Sequence, residues 1–165
     1  MIFCSVGTQL PFPRLVNYLI SWAECVDGHK SQIIVQSGGG IAKDVENITI
    51  SEFMSEIEFS EYIESAEVIV SHAGMGNIIR SIELNKPIVI VPRSGSLQEH
   101  RNDHQIDSAN RFSSLDNVFV AYDYDSFCDA LKEAFNYVRH ETKSSFPERE
   151  RLVNYLNSEI RNVKY

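Results

Sequence analysis

Val-Ile-Val-Ser-His-Ala-Gly-Met-Gly-Asn, residues 68–77, is the stretch of sequence that decides the fold. An apolar β-branched run leads into a histidine and two glycines, a helical pattern starts at Met75, and a second apolar run follows at residues 87–92. This pattern predicts a strand, a glycine-bearing turn, a helix and another strand. At the carboxyl end of a parallel strand, such a turn directs free backbone N–H groups and the positive end of a helix dipole at one place. A phosphate is the natural occupant.

The rest of the chain alternates strands and helices in the same manner. Most strands are unbroken β-branched runs, which indicates a parallel sheet with helices on both faces. We therefore expect an α/β protein with a single domain over residues 1–165, built on a Rossmann-like, doubly wound parallel sheet of about six strands. The predicted strands are residues 2–6, 32–36, 47–53, 67–71, 87–92 and 117–121. The predicted helices are residues 15–26, 56–65, 75–84, 103–112, 127–138 and 146–163.

The last predicted helix belongs to a C-terminal segment, residues 141–165, that begins with a polar stretch. Leu152, Leu156 and Ile160 recur along it at helical spacing. One apolar face of this kind is a candidate to dock on a partner subunit. Packing on the chain's own sheet explains the same pattern equally well.

Composition and charge restrict the classes of function. The chain has a net charge of -8, which disfavours a nucleic-acid surface because such surfaces need a basic stripe. No leader sequence is visible and no apolar run approaches the roughly 20 residues that span a bilayer. We therefore expect a cytoplasmic protein. Cys4, Cys25 and Cys128 lack CxxC spacing, so we expect each to be a buried or half-buried small apolar residue.

Three loops fall at the carboxyl edge of the expected sheet, where ligands of such sheets bind. They are residues 7–13, 71–77 and 93–105. In the first, Gly7 allows a sharp turn and Thr8 offers a donor to a phosphate or a sugar. A plain strand-to-helix turn explains these residues equally well. The absence of GxGxxG disfavours an NAD-dependent dehydrogenase.

The second loop carries the stronger signal for phosphate binding. Gly74 and Gly76 allow a ligand to approach the backbone closely. Ser71 and Asn77 are expected to cap the helix or donate to a phosphate. His72 lies at the strand tip, where it can donate to an anionic oxygen. A structural histidine is the ordinary alternative, and the combination with two glycines and a new helix favours phosphate binding.

The third loop is dense in groups that hydrogen-bond hydroxyls. Asp103 and Gln105 stand two apart at a helix start, which suits the vicinal diol of a sugar. A solvated loop with Asp103 near a helix N-terminus is the alternative. His100 and His104 have a spacing that can bind zinc, but HExxH is absent and no third ligand stands out. We therefore predict no metal.

Together the three motifs resemble a known family. They are Gly-Thr-Gln-Leu-Pro-Phe at residues 7–12, Ser-His-Ala-Gly-Met-Gly at 71–76 and Glu-His-Arg-Asn-Asp-His-Gln at 99–105. The chain resembles the C-terminal, donor-binding half of GT-B glycosyltransferases of the family 28 type. More narrowly, it resembles the small stand-alone subunits of the Alg13 and PssE kind, and the first and third motifs are similar to the bacterial exopolysaccharide or capsule branch. The likeness extends to about residue 138.

The resemblance implies a UDP-sugar as donor substrate, with no cofactor. The residues that it implies for the donor diphosphate and nucleotide are Gly7, Thr8, His72, Ala73, Gly74, Gly76 and Asn77. Those that it implies for the donor sugar are Asn102, Asp103 and Gln105. The uracil is expected near the end of the second or third strand, where Phe53 is a candidate wall, although a core aromatic is the interpretation we favour there.

One departure from the family's pattern concerns the ribose. Many GT-B enzymes carry a glutamate about two helical turns after the histidine, and Arg80 stands at that place here. We expect Arg80 to pair with a phosphate or to be solvated, and we expect Glu83 on a different face of the helix. Arg93 and Arg101 either favour an acidic sugar or are ordinary solvated arginines.

The resemblance also implies a second subunit. GT-B enzymes react between two domains, and the acceptor domain usually brings the general base, so no catalytic residue is assigned to this chain. We expect a membrane-anchored Alg14- or PssD-like partner that recruits the chain to the inner face of the membrane. The pair is expected to transfer glucose, galactose, glucuronate or N-acetylglucosamine to a polyprenyl-diphosphate-linked acceptor. The alternative is a non-catalytic nucleotide-sugar-binding or enhancer module for a separate glycosyltransferase.

Overall fold

The structure, a computed structural model, describes residues 1–26, 31–39 and 45–137. These ranges contain six strands and five helices, and the second and third strands follow each other without a described helix between them. The strands are β1 (Ile2–Ser5), β2 (Ile33–Gln36), β3 (Ile48–Ser51), β4 (Val68–His72), β5 (Ile88–Val91) and β6 (Val118–Val120). The helices are α1 (Pro13–Cys25), α2 (Glu56–Ser65), α3 (Met75–Glu83), α4 (His104–Phe112) and α5 (Tyr124–Asn136).

The strands form one parallel sheet in the order β3-β2-β1-β4-β5-β6. Its central pair, β1 and β4, runs in register from Ile2 beside Val68 to Ser5 beside Ser71. After β1 the chain passes to α1 on one face of the sheet, and after β4 it passes to α3 on the other. This reversal is the topological switch point of a doubly wound sheet, at which a crevice opens beyond the carboxyl ends of the strands.

Two apolar layers cover the sheet, which confirms the predicted fold class. On one face α1 and α5 pack on alternate strand residues, with Trp22 stacked on Phe135 at 6.1 Å between ring centroids. On the other face α2, α3 and α4 cover the remaining strand residues, and Phe3 contacts the Phe59 ring edge-on at 5.2 Å. Because both faces are buried, the strands need apolar residues at consecutive positions rather than alternate ones.

The helices begin in two different ways. Helices α2 and α5 follow the outer strands. A capping box closes the N-terminus of each, with Ser55 and Asp123 as the N-cap residues. The helices that follow the three central strands, α1, α3 and α4, begin without a side-chain cap hydrogen bond. Their first N–H groups are therefore left for other partners at the centre of the sheet edge.

The predicted strands and the first five helices are confirmed, with ends that differ by a few residues. The predicted C-terminal helix lies outside the described residues. Phe53 is wrongly predicted as a core aromatic: it follows the end of β3 and is 58% exposed. Cys4 is buried as expected, and burial raises its pKa to about 12. Cys25 is exposed instead, because the buried stripe of α1 ends before its last residue.

Among the helices of residues 1–26, 31–39 and 45–137, none combines the length and the apolar character needed to cross a bilayer.

Candidate functional site

A cavity of about 410 Å³ lies beyond the carboxyl ends of β1, β4 and β5, and all three predicted loops line it. The residues predicted for the diphosphate and nucleotide line this cavity, except Ala73, which is buried. Of the residues predicted for the donor sugar, Gln105 lines the cavity, whereas Asn102 and Asp103 lie outside the lining. The structure therefore brings together residues that are up to about a hundred positions apart in the sequence, as parallel topology requires.

The charge of the cavity is opposite to that of the chain. Among the described residues that line it there is no aspartate or glutamate, and Arg93 supplies a full positive charge. The chain as a whole carries a net charge of -8. A concave site that excludes carboxylates and contains a guanidinium attracts anions in spite of the overall charge.

His72 is held between two glycines at the floor of the cavity. A Cβ atom on Gly74 would lie 2.2 Å from His72 Nε2, and one on Gly7 would lie 2.9 Å from His72 Cε1. Gly7 also has a φ of 87°, in the left-handed region that favours glycine. Both glycines are therefore required by the imidazole itself, before any ligand is considered.

The environment of His72 keeps its imidazole neutral. Burial and, next in size, the positive charge of Arg93 lower the pKa of His72 to about 4, although the Ser5 carbonyl acts in the opposite direction. A neutral imidazole has one N–H donor, and the tautomer decides which nitrogen carries it. His72 Nδ1 lies 3.4 Å from the Ser71 hydroxyl. An anion in the cavity would offset the charge of Arg93 and favour protonation.

The side chains of Ser71 and Asn77 stabilise the turn through hydrogen bonds. The buried Ser71 hydroxyl donates to the Ser5 carbonyl at 2.8 Å and accepts a hydrogen bond from Asn77 Nδ2 at 2.7 Å. Of the two alternatives given for these side chains, helix capping is wrong, because the N-cap position belongs to Gly74, and donation to a phosphate stays a prediction. The first N–H groups of α3 consequently lack a side-chain acceptor and face the region where a ligand anion would bind.

Arg93 is a buried cation, so of the two alternatives given for it, that of an ordinary solvated arginine is wrong. Its side chain is 3% exposed, and the guanidinium donates to the carbonyls of Val6 at 3.1 Å, Leu10 at 2.6 Å and Pro11 at 2.8 Å. It also stacks over the Phe12 ring at 4.5 Å. Its burial could have been predicted from the sequence, because it follows a buried strand directly and a charged residue in such a place needs a specific partner.

Arg14 and Glu99 form an ion pair that the sequence did not reveal. Arg14 Nε and Nη2 each lie 2.7 Å from a Glu99 carboxylate oxygen. Arg14 also donates to the Pro92 carbonyl at 2.9 Å, and Glu99 accepts from the Ser94 N–H at 3.1 Å. The Glu99 carboxylate raises the pKa of Arg14, while burial opposes that shift. This pair ties the third loop to the start of α1.

The polar residues of the third loop are mostly engaged with the loop itself. Asp103 Oδ1 accepts a hydrogen bond from the Gly95 N–H at 2.8 Å, and the side chain of Asn102 lies 3.0 Å from His100 Nδ1. Gln105 Oε1 accepts from the Arg93 N–H at 3.1 Å while the residue lines the cavity. No cluster of three histidine, cysteine, aspartate or glutamate side chains in the described ranges is arranged to hold a metal ion.

The model of the glycosyltransferase family 28 C-terminal domain matches residues 1–159 of the chain. The chain belongs to this family. This confirms the resemblance to the family 28 C-terminal domain and to stand-alone Alg13-like subunits, while the likeness to the bacterial exopolysaccharide branch stays a prediction.

Two proteins and one solved structure are similar to this family 28 domain. The UDP-N-acetylglucosamine transferase subunit ALG13 of Candida albicans is 30% identical over 114 residues, which make up 69% of this chain but 34% of that protein. The Saccharomyces cerevisiae subunit of the same name is 24% identical over 157 residues, 72% of this chain and 75% of that protein. In fold, the solution structure of ALG13 matches with a TM-score of 0.62 at 21% identity, over 92% of this chain and 93% of that one.

Arg80 stands where a ribose-binding glutamate was expected in this family 28 domain. Its guanidinium lies 2.7 Å from a Glu64 carboxylate oxygen and 3.4 Å from one of Glu83. The expectation that Glu83 lies on a different face of α3 is wrong, because a rotation of about 300° places a residue about 60° from its starting point. Arg80 is also not among the described residues that line the cavity.

Proposed function

We propose that this chain is the UDP-sugar-binding subunit of a two-component GT-B glycosyltransferase. The observation that carries the proposal is the cavity at the switch point, with no carboxylate among its described lining residues and with Arg93 and the start of α3 beside it. A diphosphate fits this chemistry, because N–H groups at a helix start and a buried positive charge both favour anionic oxygens.

The same groups explain how the subunit assists the reaction. When a sugar leaves UDP, negative charge develops on the departing diphosphate. The N–H groups at the start of α3, the helix dipole and the charge of Arg93 are already oriented before the reaction, so they stabilise that charge without reorganising. The donor is a substrate, and the proposal includes no cofactor.

The general base is proposed to come from the partner subunit. Among the described lining residues none is a carboxylate, and His72, with a pKa of about 4, is a weak base. A base that removes the proton of an acceptor hydroxyl works best with a pKa near the working pH. The partner is proposed to be membrane-anchored and Alg14- or PssD-like, and to hold the complex at the cytoplasmic face.

The proposal also covers the identity of the donor sugar and of the acceptor. Both similar proteins are described as UDP-N-acetylglucosamine transferase subunits, which makes N-acetylglucosamine the first of the four candidate sugars to test. The acceptor is proposed to be a polyprenyl-diphosphate-linked saccharide of exopolysaccharide or capsule synthesis.

Calorimetric titration with UDP tests donor binding. We expect the full chain to bind UDP and His72→Ala to bind it about tenfold more weakly, which corresponds to one hydrogen bond to a charged group. His104→Ala is the matched control, because His104 is exposed at the start of α4. A wild-type chain that does not bind UDP at millimolar concentration contradicts the proposal.

Sugar transfer tests the two-component arrangement. Membranes that contain the partner are expected to transfer sugar from UDP-N-acetylglucosamine to a lipid-linked acceptor only when this chain is added, and less with His72→Ala. Unchanged transfer without the chain would show that it is not the donor-binding subunit.

A further inference from the structure

Arg93 contacts two of the three loops of the cavity directly and acts on the other through its charge. Its guanidinium donates to Leu10 and Pro11 in the first loop, its N–H donates to Gln105 in the third, and its charge lowers the pKa of His72 in the second. We propose that Arg93 is a positioning residue that sets the shape of the first loop and the orientation of Gln105 for the bound nucleotide sugar. This inference rests on the proposed function.

The bonding of Arg93 differs from that of an ordinary buried arginine. Burying a guanidinium is costly unless a carboxylate or several hydrogen bonds compensate. In the described part of the chain its hydrogen-bond acceptors are backbone carbonyls, and the nearby Glu99 is already paired with Arg14. The charge of Arg93 is therefore not neutralised at contact distance, and it remains available to an anion in the cavity.

The three carbonyls flank the part of the first loop that lines the cavity. Val6 lies directly before the loop, and Leu10 and Pro11 lie in its middle. Residues 7–9, which line the cavity, are held between these two anchors. Because ordering a free loop costs conformational entropy for each residue, anchors present before binding reduce what the ligand must supply.

The N–H of Arg93 decides which end of the Gln105 amide faces the ligand. A backbone N–H can only donate, so the atom that it meets at 3.1 Å is the carbonyl oxygen of Gln105. The NH₂ group of Gln105 is then left for the cavity as a donor. It suits a group that accepts, such as a sugar hydroxyl, an N-acetyl carbonyl or a uronate carboxylate.

Two variants of Arg93 separate charge from hydrogen bonding. Arg93→Lys keeps the charge but places its donors on one nitrogen, whereas two guanidinium nitrogens meet the three carbonyls. Arg93→Met removes both the charge and the donors. We expect both variants to weaken UDP binding by about tenfold or more, since each lost hydrogen bond to a charged group corresponds to about that factor. Arg101→Met is the matched control, because Arg101 is exposed in the same loop, and it should change the affinity by less than about twofold.

The pKa of His72, measured by NMR titration of its ring protons, is a second readout. Both variants disturb the first loop but only Arg93→Met removes the charge, so comparing them separates the effect of charge from that of packing. The pKa of His72 is expected to rise in Arg93→Met and to stay low in Arg93→Lys. Wild-type UDP affinity in Arg93→Lys overturns the positioning role, and an unchanged His72 pKa in Arg93→Met overturns the electrostatic link. A wild-type chain that binds no UDP overturns the proposed function instead, and this inference with it.

Gln105→Met tests the amide donor without adding a charge to the cavity. Methionine is similar in length but has no NH₂ donor. We expect its affinity for UDP-N-acetylglucosamine to fall by about tenfold while the affinity for UDP changes by less than about threefold. Gln98→Met, at an exposed position of the same loop, is the control. An equal loss for both ligands in Gln105→Met overturns the proposed role of the NH₂ group.

Discussion

The turn after β4 and the loop after β5 meet at the same cavity but hold their shapes by different means. The turn is short, and a hydrogen bond of 2.8 Å from the Gly74 N–H to the His72 carbonyl closes it. The loop, residues 93–103, is long and largely exposed at its tip, and its anchor is distant: Glu99 pairs with Arg14, 85 positions earlier. A local arrangement can be recognised in a sequence, whereas a distant one needs the fold.

The largest effect is expected from the turn, in Gly74→Ala. The added Cβ would lie 2.2 Å from His72 Nε2, and the imidazole is packed against Gly7 on its other side. Displacing it should cost about 3 kcal/mol of unfolding free energy, the upper range for overpacking a filled site. Chemical denaturation and UDP titration of the same samples measure both consequences.

Gly76→Ala is the matched control for that change. A Cβ at Gly76 meets no atom within 4 Å, and the residue lies in the first turn of α3. Alanine there should leave stability unchanged or raise it by about 0.5 kcal/mol. The methyl group would face the cavity, so UDP binding should still weaken. Equal stability losses for both alanine variants would refute the account of the turn.

The second prediction concerns the pH dependence that His72 gives to the turn. Its pKa is about 4 in the folded chain, below its ordinary value of 6.5. The unfolded chain therefore binds more protons between these values, and the stability contribution is present above pH 6.5 and is lost as the pH falls toward 4. We expect wild type to lose about 2 kcal/mol more than His72→Asn between pH 7 and pH 4.5. Parallel unfolding curves for the two proteins over this range would exclude the assignment.

The contrast between the turn and the loop also explains which features could be predicted from the sequence and which could not. Apolar β-branched runs and helical spacing predicted the strands and helices, because burial on two faces leaves few other options. Gly7 and Gly74 were recognised as features of the turns, but Gly74 was expected to admit a ligand, whereas it makes room for the His72 imidazole. Arg93 and Arg14 were not recognised, since their partners are carbonyls and a carboxylate that only the folded chain brings near. Phe53 was placed in the core because an aromatic side chain after a strand gives no sign that the strand has already ended.

The third prediction tests the distant anchor of the loop. A double-mutant cycle with Arg14→Met and Glu99→Gln should give a coupling of about 1–2 kcal/mol, since the side chains are 16% and 14% exposed and the pair is bidentate. The pair of Arg80 and Glu64 is a control of equal distance, 2.7 Å, but with side chains 38% and 52% exposed. Its coupling should not exceed about 0.5 kcal/mol. Equal couplings would mean that the Arg14 anchor adds nothing beyond a surface ion pair.

The smallest effect is expected at the exposed tip of the loop. Gln98 has a φ of 57°, a left-handed conformation that costs a residue with a side chain about 1 kcal/mol. Two backbone hydrogen bonds impose it, from the Gln98 N–H to Gly95 and from the Glu99 N–H to Ser94. Gln98→Gly removes that strain but makes the unfolded chain more flexible, so the net gain should be about 0.5 kcal/mol.

Leu97→Gly supplies the comparison, because Leu97 is 57% exposed at the adjacent position and does not have a positive φ. Leu97→Gly should lose stability, because its main effect is to give the unfolded chain more conformational freedom. A gain at Gln98 beside a loss at Leu97 would mean that the anchors hold the tip in a conformation its own residues do not favour. A loss at both positions would mean that the tip is relaxed, and that the loop differs from the turn in length alone.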